Sequence, residues 1–268
     1  MLVVRNRNEL MNRFKVLISN DKDLVLYHNL IGANNVTTTK FKGHMKLANA
    51  YRNLVRLIER AKDKKSADDF ATFIASLRHD AVERVELAAG EFLEKVAIES
   101  LAISKEGIEY GFRKVYGQDA VVVVPDSYWK KTAQSSLEAM KRFSADTNRI
   151  LDTSLDAEKW DDMRDSVEKK TTSRIADEAF IIQSEANRLV QEYAGVRKYK
   201  WKTQGDRRVV GNPTGLYPEG NEYHGDHWSR DGKIFEWDSP PFDGHPGEAY
   251  GCRCVALPMM NLNNAEIR

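Results

Sequence analysis

Helical spacing of apolar residues from Lys40 to Tyr193 gives way after Gly195 to short alternating segments, and Trp, Gly, Pro, His and Cys concentrate between Tyr199 and Pro258. These observations point to a mainly α protein. An elongated helical amino-terminal domain, residues 1–195, is expected ahead of a small α+β domain, residues 196–268. At 268 residues the chain has enough length for two ordinary domains with real cores.

The first forty residues carry a weak signal. Leu10, Phe14, Leu17 and Ile18 have the spacing of one helical face within Asn8 to Ile18, and Gly32 to Thr39 reads as a loop. This stretch suits an amino-terminal arm that docks on a partner or on the body of the protein. From Met45 through Leu47, Ala48, Tyr51, Leu54, Val55 and Ile58 one helical face is continuous, and the helix should stop near Lys62 at a charged break. Ser66, with Asp69 three residues on, is placed to cap a second helix.

That helix carries Phe70, Ile74, Leu77, Ala81, Val85, Ala88, Phe92 and Val96 at intervals of three or four, a stripe best read as core against neighbouring helices. An interruption is expected near Ser104 to Gly107, before Ile108, Phe112 and Val115 resume. Val121 to Val124 is β-branched and reads as a buried strand or an extended connector, after which Asp126 or Ser127 can cap a third helix ending around Asp152 to Ser154. A fourth helix shows Trp160, Met163, Val167, Thr171, Ile175, Ala179, Ile182, Ala186, Leu189 and Tyr193, and Gly195 stands where a left-handed cap would close it.

Beyond Gly195 the β candidates are Val196 to Trp201, Val209-Val210, Ile234 to Trp237 and Cys254 to Leu257. Gly205, Gly211-Asn212-Pro213, Asp231-Gly232 and Pro240-Pro241 mark turns between them. Trp201, Trp228 and Trp237 are expected to form the small core.

Composition excludes several classes. With 41 basic and 40 acidic residues the formal charge is +1, so no global field draws the chain to nucleic acid or to an anionic membrane. The amino terminus is charged within five residues and lacks the apolar run of a signal peptide, and no apolar run approaches the roughly 20 residues that span a bilayer. A protein made and kept in a cytoplasm is expected. Cys252 and Cys254 are separated by a single residue, which makes a disulfide between them geometrically poor and reduced thiols the expectation.

The ordered elements Arg174-Ile175-Ala176, Gly195-Val196, Tyr199-x-Trp201-x-Thr203, Asp206-x-Arg208-Val209, His227 with Asp231-Gly232-Lys233-x-Phe235, His245-Pro246-Gly247-Glu248 and Cys252-Arg253-Cys254 resemble the Mu F-like minor head protein family of tailed phages. The match covers about the last hundred residues. Val210 follows the Arg-Val pair where family members usually carry a third basic residue, and Gly211 to Asp226 intervenes as a surface insertion. His227 rather than His224 therefore aligns with the family's histidine. The resemblance implies a minor head protein of capsid morphogenesis in the virion, made in the host bacterial cytoplasm. It would be associated with the phage portal protein, and major capsid protein, scaffolding protein and packaged DNA are further candidate partners. Tyr199, Trp201, Thr203, Asp206, Arg208, Asp231, Gly232, Lys233, Phe235, Pro246, Gly247 and Arg253 would be its structural motif.

The same stretch admits three kinds of chemistry. Cys252 and Cys254, joined by His227 and by His245, His224 or Asp206, offer the thiolates and imidazoles of a structural zinc site, although the spacing fits no standard zinc pattern and small buried cysteines also serve as packing. Asp206, Arg207, Arg208 and His227 read alternatively as the acid, anion clamp and base of an effector enzyme, a nuclease or transferase, against the plainer account that Asp206 and Arg208 pair with each other or with turn amides and hold the two halves of the motif together. A virion protein contacting DNA is the third reading, with a steep fall of affinity with salt as its signature. Arg253, between the cysteines, is expected to point away from them in an extended segment, toward a partner or DNA or, on the plainer account, into solvent.

Overall fold

The computed structural model describes residues 2–4, 44–116, 121–124, 126–220, 223–259 and 266–267. The expected helix and loop of the amino-terminal arm lie outside them. In chain order the elements are β1 (Leu2–Val4), α1 (His44–Lys62), α2 (Ala67–Tyr116), β2 (Val121–Val122), α3 (Ser127–Ser154), α4 (Ala157–Tyr193), β3 (Lys198–Lys202), α5 (His227–Arg230), β4 (Ile234–Glu236), β5 (Val255–Met259) and β6 (Glu266–Ile267). The fold is mainly α with a small carboxy-terminal α+β part. Among the described residues no helix is long and apolar enough to cross a membrane.

Two compact units share these elements. One comprises residues 38–96 and 133–179, and the other residues 1–37, 97–132 and 180–268. The expected division at residue 195 falls at the composition change that ends α4, whereas the compact units divide within α2, α3 and α4.

In the unit of residues 38–96 and 133–179, four helical segments pack one core. Leu47, Tyr51 and Ile58 of α1, Ile74, Val85 and Phe92 of α2, Phe143 and Leu151 of α3 and Trp160 and Ile175 of α4 are buried. The intervals within each helix, 4, 7, 8, 11 and 15 residues, all lie within a quarter turn of whole helical turns and put each set on one face, so the apolar pattern anticipates all of them but Leu151. Polar groups within this core are matched: the Tyr51 hydroxyl donates to the Phe143 carbonyl at 3.0 Å, and burial raises the Tyr51 hydroxyl far above the ordinary tyrosine range. Ser66 caps α2 as expected, its Oγ accepting from the Asp69 amide at 3.3 Å and donating to the Asp69 carboxylate at 2.7 Å.

α2 runs unbroken through Ser104 to Gly107, contrary to the expected interruption. Ser100, Ser104, Gly107 and Ile108 are all buried, so small residues continue the inward stripe where the apolar pattern fades.

In the second unit, β3 is the centre of a three-stranded antiparallel sheet in the order β4-β3-β5, with Tyr199 opposite Phe235 and Trp201 opposite Ala256. Tyr199 and Trp201 point to one face and are fully buried, while the intervening lysines point outward. With Trp237, Cys252, Cys254 and Ala256 they form the small core. Trp228 does not join it; it lies on α5 and is 38% exposed. Val209-Val210 is not a strand but part of a turn, because Asp206 and Asn212 bend the chain there: the Val209 amide donates to the Asp206 carbonyl and the Asn212 amide to the Val209 carbonyl.

α4 ends as expected on Gly195, which has φ of +80°, and the Gly195 and Val196 amides donate back to Glu192 and Gln191 carbonyls in a Schellman motif. The same helix holds the sheet: Asn187 and Gln191, both buried, donate to the Ala256 carbonyl of β5 at 3.1 and 2.9 Å. Val121-Val122 proves to be a strand, antiparallel to β1, and β1 pairs in parallel with β6.

Candidate metal centre

His227, Cys252 and Cys254 converge under the β4-β3-β5 sheet. Their positions follow from local structure. Asp226 caps α5 by accepting from the Ser229 amide at 2.8 Å, which sets His227 as the first residue of the helix, facing inward. The chain reverses before β5 with Gly247 and Gly251 at φ of +88° and +73°, and this turn brings both thiols back over Trp201.

All three side chains are buried, and their ligand atoms lie within 4.8 Å of one another. His227 Nδ1 stands 3.6 Å from Cys252 Sγ and 3.6 Å from Cys254 Sγ. Two metal bonds of about 2.3 Å to sulfur and about 2.0 Å to nitrogen, opened to a tetrahedral angle, separate those atoms by roughly 3.6 Å. The three donors thus hold the spacing of ligands around one ion. The Gly247 amide donates to Cys252 Sγ at 3.3 Å, as suits a sulfur carrying negative charge.

The three groups also shift one another's protonation. The hydrogen bond from Cys254, helped by His227 and opposed by burial, holds the Cys252 thiol well below its usual range. Cys254 is raised well above that range by its bond to Cys252 and by burial. Burial alone would lower His227, but Cys252 and Asp243 together raise it.

Behind the histidine stands Asp243, whose side chain is 0% exposed. Its Oδ2 accepts from His227 Nε2 at 2.9 Å and from the Gly225 amide at 2.7 Å, and its Oδ1 accepts from Arg230 Nη1 at 2.7 Å. Burial would raise this carboxyl, but the three donors hold it below the usual carboxylate range. In the sequence Asp243 carries no signal of its own, standing two residues past the Pro240-Pro241 turn and just before Gly244.

The other expected ligands go elsewhere. His245 Nδ1 shares a 2.8 Å hydrogen bond with the Tyr199 hydroxyl, and its ring packs on Tyr199 and Trp237. His224 approaches the ring of His227 with centroids 6.5 Å apart, outside the close trio. Asp206 is bound by Arg253, one guanidinium nitrogen lying 2.9 and 2.7 Å from its two oxygens, and also accepts from the Arg208 amide at 2.9 Å. Arg253 therefore does not point to solvent or a partner as expected; the Asp206 carboxylate draws it back along the turn.

The rest of the motif is used internally. Asp231 Oδ1 accepts from both the amide and the hydroxyl of Thr203, at 2.7 and 3.1 Å, and Lys202 closes on the same carboxylate. Gly232, at φ of +76°, donates to the Trp201 carbonyl, and the Lys233 carbonyl accepts from the Trp201 amide. Phe235 packs on Tyr199 and Trp201, Pro246 is buried, and Arg208 is exposed. The insertion from Gly211 to Asp226 is anchored by Asn212, which donates to the Asp206 carbonyl, and by Gly225 on Asp243.

No family model matches the chain, and no solved structure matches it. A Haemophilus influenzae protein described as uncharacterized is 29% identical over 145 residues, or 54% of this chain. The match takes in 28% of that relative's length.

Proposed function

We propose that this chain is a minor head protein of a tailed phage, a structural, portal-associated component of the virion, and that zinc staples its carboxy-terminal part. The observation that carries the reading is the fate of the residues resembling the Mu F-like family. Tyr199, Thr203, Asp206, Asp231, Gly247 and Arg253 are taken up in contacts within the motif, as parts of a fold would be. Asp206, Arg208 and His227 do not assemble as an acid, clamp and base, since Asp206 is bound to Arg253 and His227 to Asp243 and the thiols.

Zinc suits the trio because two thiolates and an imidazole are its preferred donors, and a small sheet with few layers gains stability from a bound ion. His227, Cys252 and Cys254 would hold it, tying α5 to the segment that enters β5. Co-expression with the portal protein of the same phage, followed by native mass spectrometry, tests the reading. A complex of defined stoichiometry is expected, with one zinc per chain that is lost on changing Cys252 and Cys254 to Ser; a free chain that never enters heads would refute the assembly role.

A further inference from the structure

The zinc reading leaves a buried carboxylate without a part. Asp243 lies on the far edge of the His227 ring from the two sulfurs, so it cannot bind the ion that Nδ1 would hold. We propose that Asp243 is a positioning residue for that metal site: it fixes the proton of His227 on Nε2, and so presents the Nδ1 lone pair to an ion shared with Cys252 and Cys254. The inference rests on the zinc reading given above.

The chemistry follows from what each group can donate. An ionised carboxylate only accepts hydrogen bonds, and a neutral imidazole has a single N–H. Asp243 Oδ2, 2.9 Å from Nε2, therefore requires the hydrogen there. Without it the ring is free to carry the hydrogen on Nδ1 and donate to a thiolate, which would occupy the lone pair the metal needs. Histidines that bind metals commonly give their other N–H to such a carboxylate.

The carboxylate is itself held in place. Gly225 and Arg230 donate to its two oxygens at 2.7 Å each. Arg230 in turn lies over the Trp201 ring at 5.0 Å, so the aromatic core beneath the thiols also steadies the residue behind the histidine. Charge closes as well: two thiolates balance a divalent ion, and Arg230 balances Asp243, leaving a buried assembly without net charge.

The test uses the full chain, stripped with a chelator and titrated with zinc against a chromophoric competitor, together with ¹⁵N spectra of the His227 ring. Wild type should take up one zinc and show hydrogen on Nε2 with Nδ1 bound to metal. In Asp243→Asn the affinity should fall by about 10- to 100-fold. In the metal-free state, at a pH high enough to keep the ring neutral, the ring should also lose its single tautomer, which a residue serving packing alone would leave intact. An Asp243→Asn protein that binds zinc as tightly as wild type, or keeps hydrogen on Nε2 alone, overturns the proposal while leaving the zinc reading in place. A wild-type chain that takes up no zinc removes both. Should Asp243→Asn fail to fold, Arg230→Gln, which frees one carboxylate oxygen, should weaken zinc binding about threefold or more; unchanged affinity there overturns the proposal equally.

Discussion

Asp206 and Arg253, 47 positions apart in sequence, are joined by a guanidinium nitrogen that sits 2.7 Å from one carboxylate oxygen and 2.9 Å from the other. The pair fastens the turn after β3 to the cysteine segment that leads into β5. Because the Asp206 side chain is 43% exposed, solvent screens the attraction, and a coupling on the order of 0.5–1 kcal/mol is expected. Denaturant unfolding of Asp206→Ala, Arg253→Ala and the double variant measures it. Additive losses would show that the two side chains act separately.

The helices were legible because their apolar residues recur at helical intervals, and Ser66 and Gly195 gave their ends. The sheet was legible through Tyr199 and Trp201, whose alternation survives into β3. What was hidden is polar and nonlocal. Asn187 and Gln191 interrupt the apolar face of α4 for a reason that lies in β5, 65 or more positions away. Asp243 looks like any Asp-Gly turn until the fold brings His227 to it. His245 joins the cysteines by residue type alone, and nothing in the sequence marks Tyr199, a strand and motif residue, as the group that captures it. Val209-Val210 has β-branched composition, but the turn hydrogen bonds of Asp206 and Asn212 override that preference.

Gly247 and Gly232 both have positive φ, +88° and +76°, yet they should respond differently to Ala. A Cβ on Gly247 would lie 1.8 Å from Ser184 Oγ and 2.5 Å from Ser184 Cβ, whereas one on Gly232 meets nothing within 4 Å. Gly232→Ala should therefore cost only the backbone strain, about 1 kcal/mol. Gly247→Ala adds a clash with α4 and should cost about 3 kcal/mol or more. Thermal unfolding of the two variants side by side checks this, and equal losses would place the cost in the backbone alone.

His245 should make the carboxy-terminal part sensitive to mild acid. Burial against Tyr199 and Trp237 lowers its pKa below the ordinary histidine value, with Arg188 adding to the effect and Glu248 opposing it. The unfolded chain, at about 6.5, binds the proton first. Its contribution to stability is complete above that pH and is lost as pH falls from about 6.5 through the folded value. Unfolding midpoints at about pH 7.5 and 5.5, taken with chelator present so that metal loss plays no part, should converge in His245→Gln relative to wild type. An unchanged pH slope in the variant would assign the acid sensitivity to other groups.

Glu178 and Arg142 form a two-pronged ion pair in the helical unit of residues 38–96 and 133–179, with both Arg142 nitrogens 2.6 Å from the carboxylate oxygens. Its two ends are unequally exposed: Glu178 is fully buried, and the Arg142 side chain is 40% exposed. Removing the acid leaves an arginine that water can reach, so Glu178→Gln should cost on the order of 1 kcal/mol. Arg142→Ala leaves a buried carboxylate, with Arg174 at 3.8 Å as its remaining ion-pair partner, and should cost about 3 kcal/mol. Denaturant unfolding of the two variants reads the difference directly. Arg142→Ala must be the more damaging substitution, because the cost lies in stranding the buried charge rather than in losing the attraction between the two.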